Sequence, residues 1–552
     1  MTAAPPGLER LRHSPLLDGP RYAAQSARLL RRLPGLLRQP LAIEDCRRIL
    51  QRRLDQREGD FLQLFHSAVC SNPASPYNAL LRQAGCEEGD VVHMVQQDGL
   101  EGALAILFRA GVYLTTDEYK GRRPAVRGSA RIHVTPGLLQ NPLTAPDFLA
   151  QTGGSRGAAT PVPLALACMR DRAVNMALAL HARGGSDWRK AIWEMSGIGP
   201  LLWFSASGEP VARWFTKADL AAPDLPWTQA WKVRIETALL TWTGRRSGRR
   251  LPRREYVPLD APLPIVRWME ETLAERAVPH LWTSTSAAVR VCREAERAGI
   301  ALAGAQFTVT GEPVTAARLG VIEKAGAVAV PDYGSADSGG SVSTGCLAPD
   351  APDDMHVFGD LNAVIQAAGP TPPPTPPPGA LLLTSIRPTS PFLFINLVMG
   401  DRAVLTERRC GCPLEALGWR MHLHGIRSFE KLTAGGVTFM DTDVIRVLEE
   451  VLPRRFGGGP ADYQIVEDAD GDGRPRLRLL VHPNVGPADS ARMMDVFLDA
   501  LAAGSDAERL MVNQLRQERF LEVERAAPVA TSSGKVLHLW SGREPGGEQR
   551  HG

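Results

Sequence analysis

From Ala23 to Ala110 the apolar residues recur at helical spacing. Ala27, Leu29, Leu30, Leu33 and Leu36 fall on one face of a 3.6-residue period, and Phe61, Leu62, Leu64 and Phe65 form a second such run. The pattern predicts a helical N-terminal region over residues 1–113. A turn-rich passage from Leu114 to Asp147 follows, after which strand-length apolar runs alternate with helical ones, as in Ala298 to Glu312 and Ala325 to Tyr333. Such alternation predicts a mostly parallel sheet covered by helices, an α/β core over 114–424. The Pro-rich segment Gly369 to Gly379 offers few backbone donors and is expected as an extended surface loop. Beyond Gly425 the pattern becomes compact: strand-like Gly436 to Met440, helix-like Asp443 to Leu452, strand-like Tyr463 to Glu467 and Leu477 to Val481, and helix-like Asp489 to Ala503. A small α+β C-terminal domain over 425–552 is predicted.

Composition narrows the class. A chain of 552 residues is too long for one hydrophobic core, so two or three domains are expected. With 44% apolar and 22% charged residues it is far from the signature of disorder. The net charge of +3 is small, and the arginine-rich stretches Arg28 to Arg38 and Arg245 to Arg254 lack interleaved stacking aromatics. They read as solvated faces, with no nucleic-acid partner. The first twenty residues lack the pattern of a secretory signal, and no window of about twenty apolar residues occurs, so a cytoplasmic protein without a membrane partner is expected. Eight cysteines in a reducing compartment are thiols or metal ligands. Cys46, Cys70, Cys86, Cys168 and Cys292 stand singly and read as small apolar core residues.

Three short segments carry candidate chemistry. Thr152-Gly153-Gly154-Ser155-Arg156-Gly157 combines glycines and hydroxyls that can wrap an anion in backbone N–H groups. Gly311-Glu312-Pro313 comes next, and then Tyr333-Gly334-Ser335-Ala336-Asp337, where a ring that can stack on a base stands near a carboxylate that can hold Mg²⁺. Singly, each also suits an ordinary turn or strand end.

Taken in order, these segments resemble the adenylate-forming enzymes, in particular the phenylacetate-CoA ligase branch, whose phosphate loop reads roughly SSGTTGKPT and whose nucleotide motif reads YG, two residues, then Glu. Here the loop is TGGSRGAAT and the nucleotide motif YGSAD. The resemblance extends to Asn396 to Asp401, where the family has RYRTGD, and to Ile426 to Thr438, where it has a GRxDD hinge followed by a Gly-Val-Asn run. It ends at Thr531-Ser532-Ser533-Gly534-Lys535, which is similar to the C-terminal lysine signature. The resemblance covers roughly Leu114 to Leu539. It implies ATP held at Thr152 to Gly157 and Gly311 to Pro313, adenine packed on Tyr333 beside Gly334 and Ser335, ribose on Asp401, a cofactor-binding role for Arg427 at the start of the hinge segment, and Mg²⁺ at Asp337. Lys535 would reach the acyl phosphate, and the C-terminal domain would rotate about Glu430. The sequence departs from the family at Ala158, where the phosphate loop has Lys, at Asp337 in place of Glu, at Leu397 to Met399, and at Phe429-Glu430 in place of an acidic pair.

Four further residues suit a metal. Cys346, His356, Cys410 and Cys412 would supply three thiolates and an imidazole, a closed tetrahedral set for structural Zn²⁺. The long interval is also compatible with core cysteines and a surface histidine. The phenylacetate-CoA ligase relatives carry a similar Cys, LH-type pair and CxC run, and that resemblance implies zinc. His422 and His424 alternate on a strand beside the hinge segment and read as satisfied surface or interface histidines. Asp468 to Gly473 lacks the glutamate of a calcium loop and reads as a hairpin turn.

The expectation is therefore an AMP-forming acid-thiol ligase that converts an aryl or acyl carboxylic acid into an acyl-adenylate and transfers it to CoA. One alternative is an adenylating enzyme of a biosynthetic pathway that loads the pantetheine arm of an acyl carrier protein or an amine. Another is a nucleotide- or acyl-binding homologue without turnover. The acid pocket is expected between Leu164 and Phe215 and from Trp282 to Ala288. A homodimer is the family's suggestion.

Overall fold

Between Arg189 and Ser335 short apolar strands are separated by helices, and each strand returns parallel to its neighbour, as βαβ connections require. The computed structural model describes residues 19–151, 161–208, 211–222, 227–372, 374–428, 432–434, 437–439, 441–469, 475–503, 512, 516, 521–531 and 534–541. In it the strands run side by side in the order Arg254–Tyr256, Arg213–Thr216, Arg189–Glu194, Pro279–Ser284, Gln306–Thr310 and Val328–Ser335, all parallel. Pro279–Ser284 is buried at every position, the mark of a strand covered on both faces. The pleat sorts the side chains: Ile192, Trp214 and Trp282 enter one core, while their neighbours Trp193, Phe215 and Leu281 enter another. The second of these cores is completed by helices Leu263–Ala274, Thr285–Ala298 and Ala316–Lys324 through Val266, Val289 and Ile322.

The same sheet continues in antiparallel fashion through Gly340–Gly345, Met355–Val357, Met421–Ser428, Leu397–Glu407, Ala380–Ser385 and Asn362–Gln366. Leu114–Thr115 pairs in parallel with Leu397 and Val398 at its far side. The N-terminal helices do not keep a core to themselves. Leu33, Leu50, Phe61, Tyr77 and Leu104 pack in one cluster with Leu382 and Phe394. Arg53, buried on the helix Ile43–Asp55, ties this layer down through ion pairs to Asp171 at 2.5 Å and Asp360 at 3.3 Å. The arginines after Arg28 are not only a solvated face, since Arg32 is paired with the fully buried Asp147 at 3.1 Å. The Pro-rich loop is held by Tyr113, whose hydroxyl donates to the carbonyls of Pro372 and Pro374.

The C-terminal region forms a separate four-stranded sheet in the order Leu521–Glu524, Pro475–Val481, Tyr463–Ala469 and Leu539–Ser541. Its own core gathers Val444, Leu448, Ile465, Leu479 and Phe497. Asp489 caps the helix Ser490–Ala502 by accepting the Ala491 N–H at 2.9 Å. Ala469 stands opposite Pro475 across an antiparallel hairpin whose tip, 470–474, lies outside the described residues. Of the single cysteines, Cys46, Cys168 and Cys292 are buried and Cys70 and Cys86 half-buried. Among the described residues no helix is long and apolar enough to cross a membrane.

Candidate active site at the carboxyl ends of the parallel strands

Parallel register brings the ends of five strands level. Glu194 stands opposite Thr216, Ser284 opposite Thr310, and Thr310 opposite Asp332, so Gly311-Glu312-Pro313 and Tyr333 leave adjoining strands at one height. Crevices beyond the carboxyl ends of such strands are where open α/β sheets bind ligands. Lys535 of the C-terminal region is delivered to this row. A Cβ placed on Gly311 would stand 2.6 Å from the Lys535 Nζ, and the residue's φ of +77° favours glycine there. The lysine is presented by a turn in which Thr531 accepts the Gly534 N–H at 2.7 Å and its Oγ1 accepts the Lys535 N–H at 3.1 Å. Gly534 also has positive φ and lies against the Lys217 side chain.

The surrounding charges are buried and mixed. Lys217 pairs with Glu194 at 3.5 Å and donates to Ser284 Oγ at 3.0 Å. Burial raises the Glu194 carboxyl above the ordinary carboxylate value, while Lys217 and Lys535 pull it down. Among the described residues the Lys535 ammonium has no hydrogen-bond partner. It is a cation set in a site that holds acids and is not neutralised by any one of them.

Glu312 is fully engaged by protein groups. It accepts from Ser286 N–H and Oγ at 2.8 Å each, from Arg318 at 3.0 Å, and from the Val536 N–H at 3.0 Å. Arg318 lies on the helix Ala316–Lys324, whose N-cap Thr315 accepts the Arg318 N–H. From the C-terminal region Glu449 meets the Arg318 Nε at 2.6 Å and His538 at 2.5 Å, and it accepts from the Thr315 hydroxyl. The 312–318 segment is therefore a dock for the C-terminal unit, reinforced by Arg293 and Asp462 at 2.7 Å.

On the adjoining strand the Tyr333 hydroxyl donates to Asp401 at 2.8 Å, so the ring and the carboxylate are brought together. Asp337 is half-buried and accepts from the Tyr119 hydroxyl at 3.0 Å. Burial raises its carboxyl, and the Tyr119 hydrogen bond opposes that. Tyr119 is aimed by the short helix Thr116–Tyr119, whose capping box joins Thr115 and Glu118 while Arg127 pairs with the buried Glu118 at 2.9 Å. Ser335 exchanges hydrogen bonds with Ser338, closing the turn around Asp337. Arg427 turns to Asp353 at 3.4 Å and to the Ile426 carbonyl. The segment Thr152 to Gly157, with Ala158, and the residue Glu430 lie outside the described residues.

A second cluster lies where the antiparallel strands meet. The donor atoms of Cys346, His356, Cys410 and His422 all fall within 4.8 Å of one another. Cys412 Sγ is 3.2 Å and Cys410 Sγ 3.6 Å from His356 Nε2. The His356 Nδ1 sits 2.6 Å from the Trp419 carbonyl, which assigns the ring proton to Nδ1 and turns Nε2 inward. Burial lowers His356 to about 4, keeping it neutral as a ligand must be. His422 is fully buried and not on the surface, with its ring centroid 4.1 Å from that of His356.

No protein-family model and no curated protein matches this chain. Solved structures similar to it include an open conformation of 2-hydroxyisobutyryl-CoA ligase with 2-HIB-AMP and CoA, at 15% identity and TM-score 0.41 over 88% of this chain and 91% of that one. The anthranilate CoA ligase AuaEII with anthranoyl-AMP aligns at 12% identity and TM-score 0.41 over 70% of this chain and 65% of that one. The amide bond synthetase McbA from Marinactinospora thermotolerans aligns at 12% and 0.41 over 87% and 92%.

Several residues of these sites carry no signal in the sequence read alone. Arg318, Glu449 and His538 belong to no motif and meet only through the fold. Tyr119 and Lys217 reach their carboxylates across 218 and 23 positions of chain. The meeting of Ser284 and Lys217, on strand ends separated by the strand Arg189–Glu194, would have been readable only with the strand order known.

Proposed function

We propose that this protein activates a carboxylic acid by adenylation with ATP and passes the acyl group to the thiol of CoA. The observation that carries the reading is the placement of Lys535, delivered from the C-terminal unit, over Gly311 at the carboxyl ends of the parallel strands. In the first step a substrate carboxylate oxygen bonds to the α-phosphorus of ATP while the bond to the β-phosphate oxygen breaks, releasing pyrophosphate. Two anions must approach each other there, so a fixed cation that meets the developing charge lowers the barrier more than one that binds substrate alone. Lys535 supplies that cation, and Glu312 fixes where it stands by holding the next residue's N–H. In the second step a thiol sulfur bonds to the acyl carbon, the bond to the AMP oxygen breaks, and the thiol proton leaves to solvent.

Asp337 would hold Mg²⁺, whose chemistry is neutralisation of charge on the leaving phosphates. Tyr333 and Asp401, already hydrogen-bonded, form a ring and an acceptor suited to a base and its ribose. The phosphates are assigned to Thr152 to Gly157, and the pivot between the two steps to Glu430, within a C-terminal unit of 425–552. Cys346, His356, Cys410 and Cys412 suit structural zinc, because the donors converge and the Nδ1 contact to the Trp419 carbonyl turns the His356 Nε2 toward the thiols.

The test is acid-dependent pyrophosphate release from ATP and Mg²⁺ with a panel of aryl and fatty acids. Release that CoA accelerates supports the ligase. Release that responds only to a carrier protein or an amine assigns a different acceptor, and none with any acid leaves a binding protein.

A further inference from the structure

The cysteine and histidine cluster contains one donor more than a tetrahedral ion uses, and the extra donor, His422, is oriented through its Nδ1 just as His356 is. His422 is fully buried on the strand Met421–Ser428, opposite His356 on the strand Met355–Val357. Neighbouring antiparallel positions put both imidazoles on the same side of the sheet. The His422 Nδ1 lies 2.8 Å from Asp354 Oδ1, and the other oxygen of Asp354 is taken by Arg408 and by the Asp350 N–H at 3.0 Å. A carboxylate in that place assigns the ring proton to Nδ1 and leaves Nε2 a lone-pair donor, the arrangement that outer carboxylates impose on metal-bound histidines. Among the described residues the buried His422 Nε2 has no hydrogen-bond partner. A buried polar atom without a partner costs about 1–3 kcal/mol, so it calls for one. Cys346, His356, Cys410 and His422 form a complete four-donor set, mutually within 4.8 Å, without Cys412.

We propose that His422 is a direct ligand of the zinc ion, with Asp354 as its positioning carboxylate, so that the centre carries two imidazoles and Cys412 is the dispensable thiol. This rests on the zinc reading above and exchanges one of its four ligands, Cys412, for His422. The ion would then join three strands, Met355–Val357, Met421–Ser428 and the end of Gly340–Gly345, to the loop of Cys410. It would be a staple across the antiparallel half of the sheet just before the chain enters the C-terminal unit.

The deciding measurement is zinc K-edge X-ray absorption on the full-length chain, preceded by metal analysis. Two imidazoles in the unmodified protein, falling to one in His422→Gln, are expected. Chelator competition should show at least about tenfold weaker zinc in His422→Gln, while Cys412→Ser keeps its zinc. A single imidazole in the unmodified protein overturns the inference without touching the zinc reading. So does loss of zinc from Cys412→Ser with retention in His422→Gln. Absence of zinc from the purified, zinc-supplemented protein overturns the zinc reading itself and is seen before any spectrum is taken. The unmodified chain decides the question even where a variant fails to fold.

Discussion

The Glu312 carboxylate accepts the backbone N–H of Val536 at 3.0 Å, one residue beyond Lys535, and so links the end of a parallel strand to the cation that the C-terminal unit brings to the site. Glu312 is a positioning residue in this arrangement, since the groups it touches are protein groups. Glu312→Gln should lower the rate of acid-dependent pyrophosphate release by about tenfold, because one such hydrogen bond to a charged group is worth about 1.5–3 kcal/mol and the amide replaces only part of it. A double variant with Lys535→Ala should be no slower than the lysine variant alone. Additive losses in that cycle would show that Glu312 acts by some other route.

Lys535→Ala itself should reduce adenylation by about 10²–10³-fold, the usual loss when one fixed donor to a developing anion is removed. The fold should survive, because the ammonium has no partner among the described residues and the turn is held by Thr531 through backbone groups. Pyrophosphate release and a thermal melt, run on the same sample, check both halves. Unchanged release would remove the lysine from the chemistry.

Tyr119→Phe separates the Asp337 carboxylate from its support. Burial already raises the Asp337 carboxyl, and the Tyr119 hydroxyl at 3.0 Å holds it down. With the hydroxyl gone the carboxyl moves further up. Its anion is then lost at a higher pH, so the acid limb of the rate profile should shift upward and the requirement for Mg²⁺ should rise. An unshifted limb with a simple loss of stability would reduce Tyr119 to packing.

The parallel half of the sheet was legible because its strands are apolar runs bounded by helices, a pattern set by local sequence. So were the C-terminal strands, where Tyr463 and Val481 mark the ends of a hairpin that local alternation implies. The antiparallel half was not, since its strands from Met355 to Ser428 are joined by turns and loops of uneven length and pair out of chain order. At the site, glycine-bearing turns such as Gly311 stand out because backbone geometry demands them, whereas Arg318, Glu449 and His538 are chosen by a tertiary surface and leave no periodic trace. His422 shows the same limit: alternation on a strand says nothing about which face is buried until the neighbour His356 is placed beside it.

Two buried carboxylates should give stability opposite dependences on pH. Arg318, with His538 and Thr315, holds Glu449 down to about 2 against its burial. A depressed folded pKa contributes stability above the ordinary value of 4.5 that is lost as pH falls toward 2. Docking of the C-terminal unit should loosen in that window, seen as faster proteolysis of the chain between the two units. In Glu449→Gln the loss should already be present at neutral pH, at a cost of about 1.5–3 kcal/mol for one charge-assisted contact, since Arg318 keeps its pair with Glu312 at 3.0 Å.

Asp332 runs the other way. It is buried within the strand Val328–Ser335, opposite Thr310, and burial lifts it to about 7, with Ser341, Arg172 and Thr310 opposing. The folded protein therefore keeps a proton that the unfolded chain has released once pH exceeds the ordinary value of 3.8, and stability falls from there as pH rises through about 7. Asp332→Asn keeps the acceptor for the Ser341 hydroxyl, which lies 2.9 Å from Oδ1, and removes the ionisation. The variant should melt higher than the unmodified protein at pH 8 and no higher at pH 4. Equal melting temperatures at pH 8 would mean that the charged form is accommodated in the fold, and the row of strand ends at the site would then carry one more anion than the buried, protonated carboxyl implies.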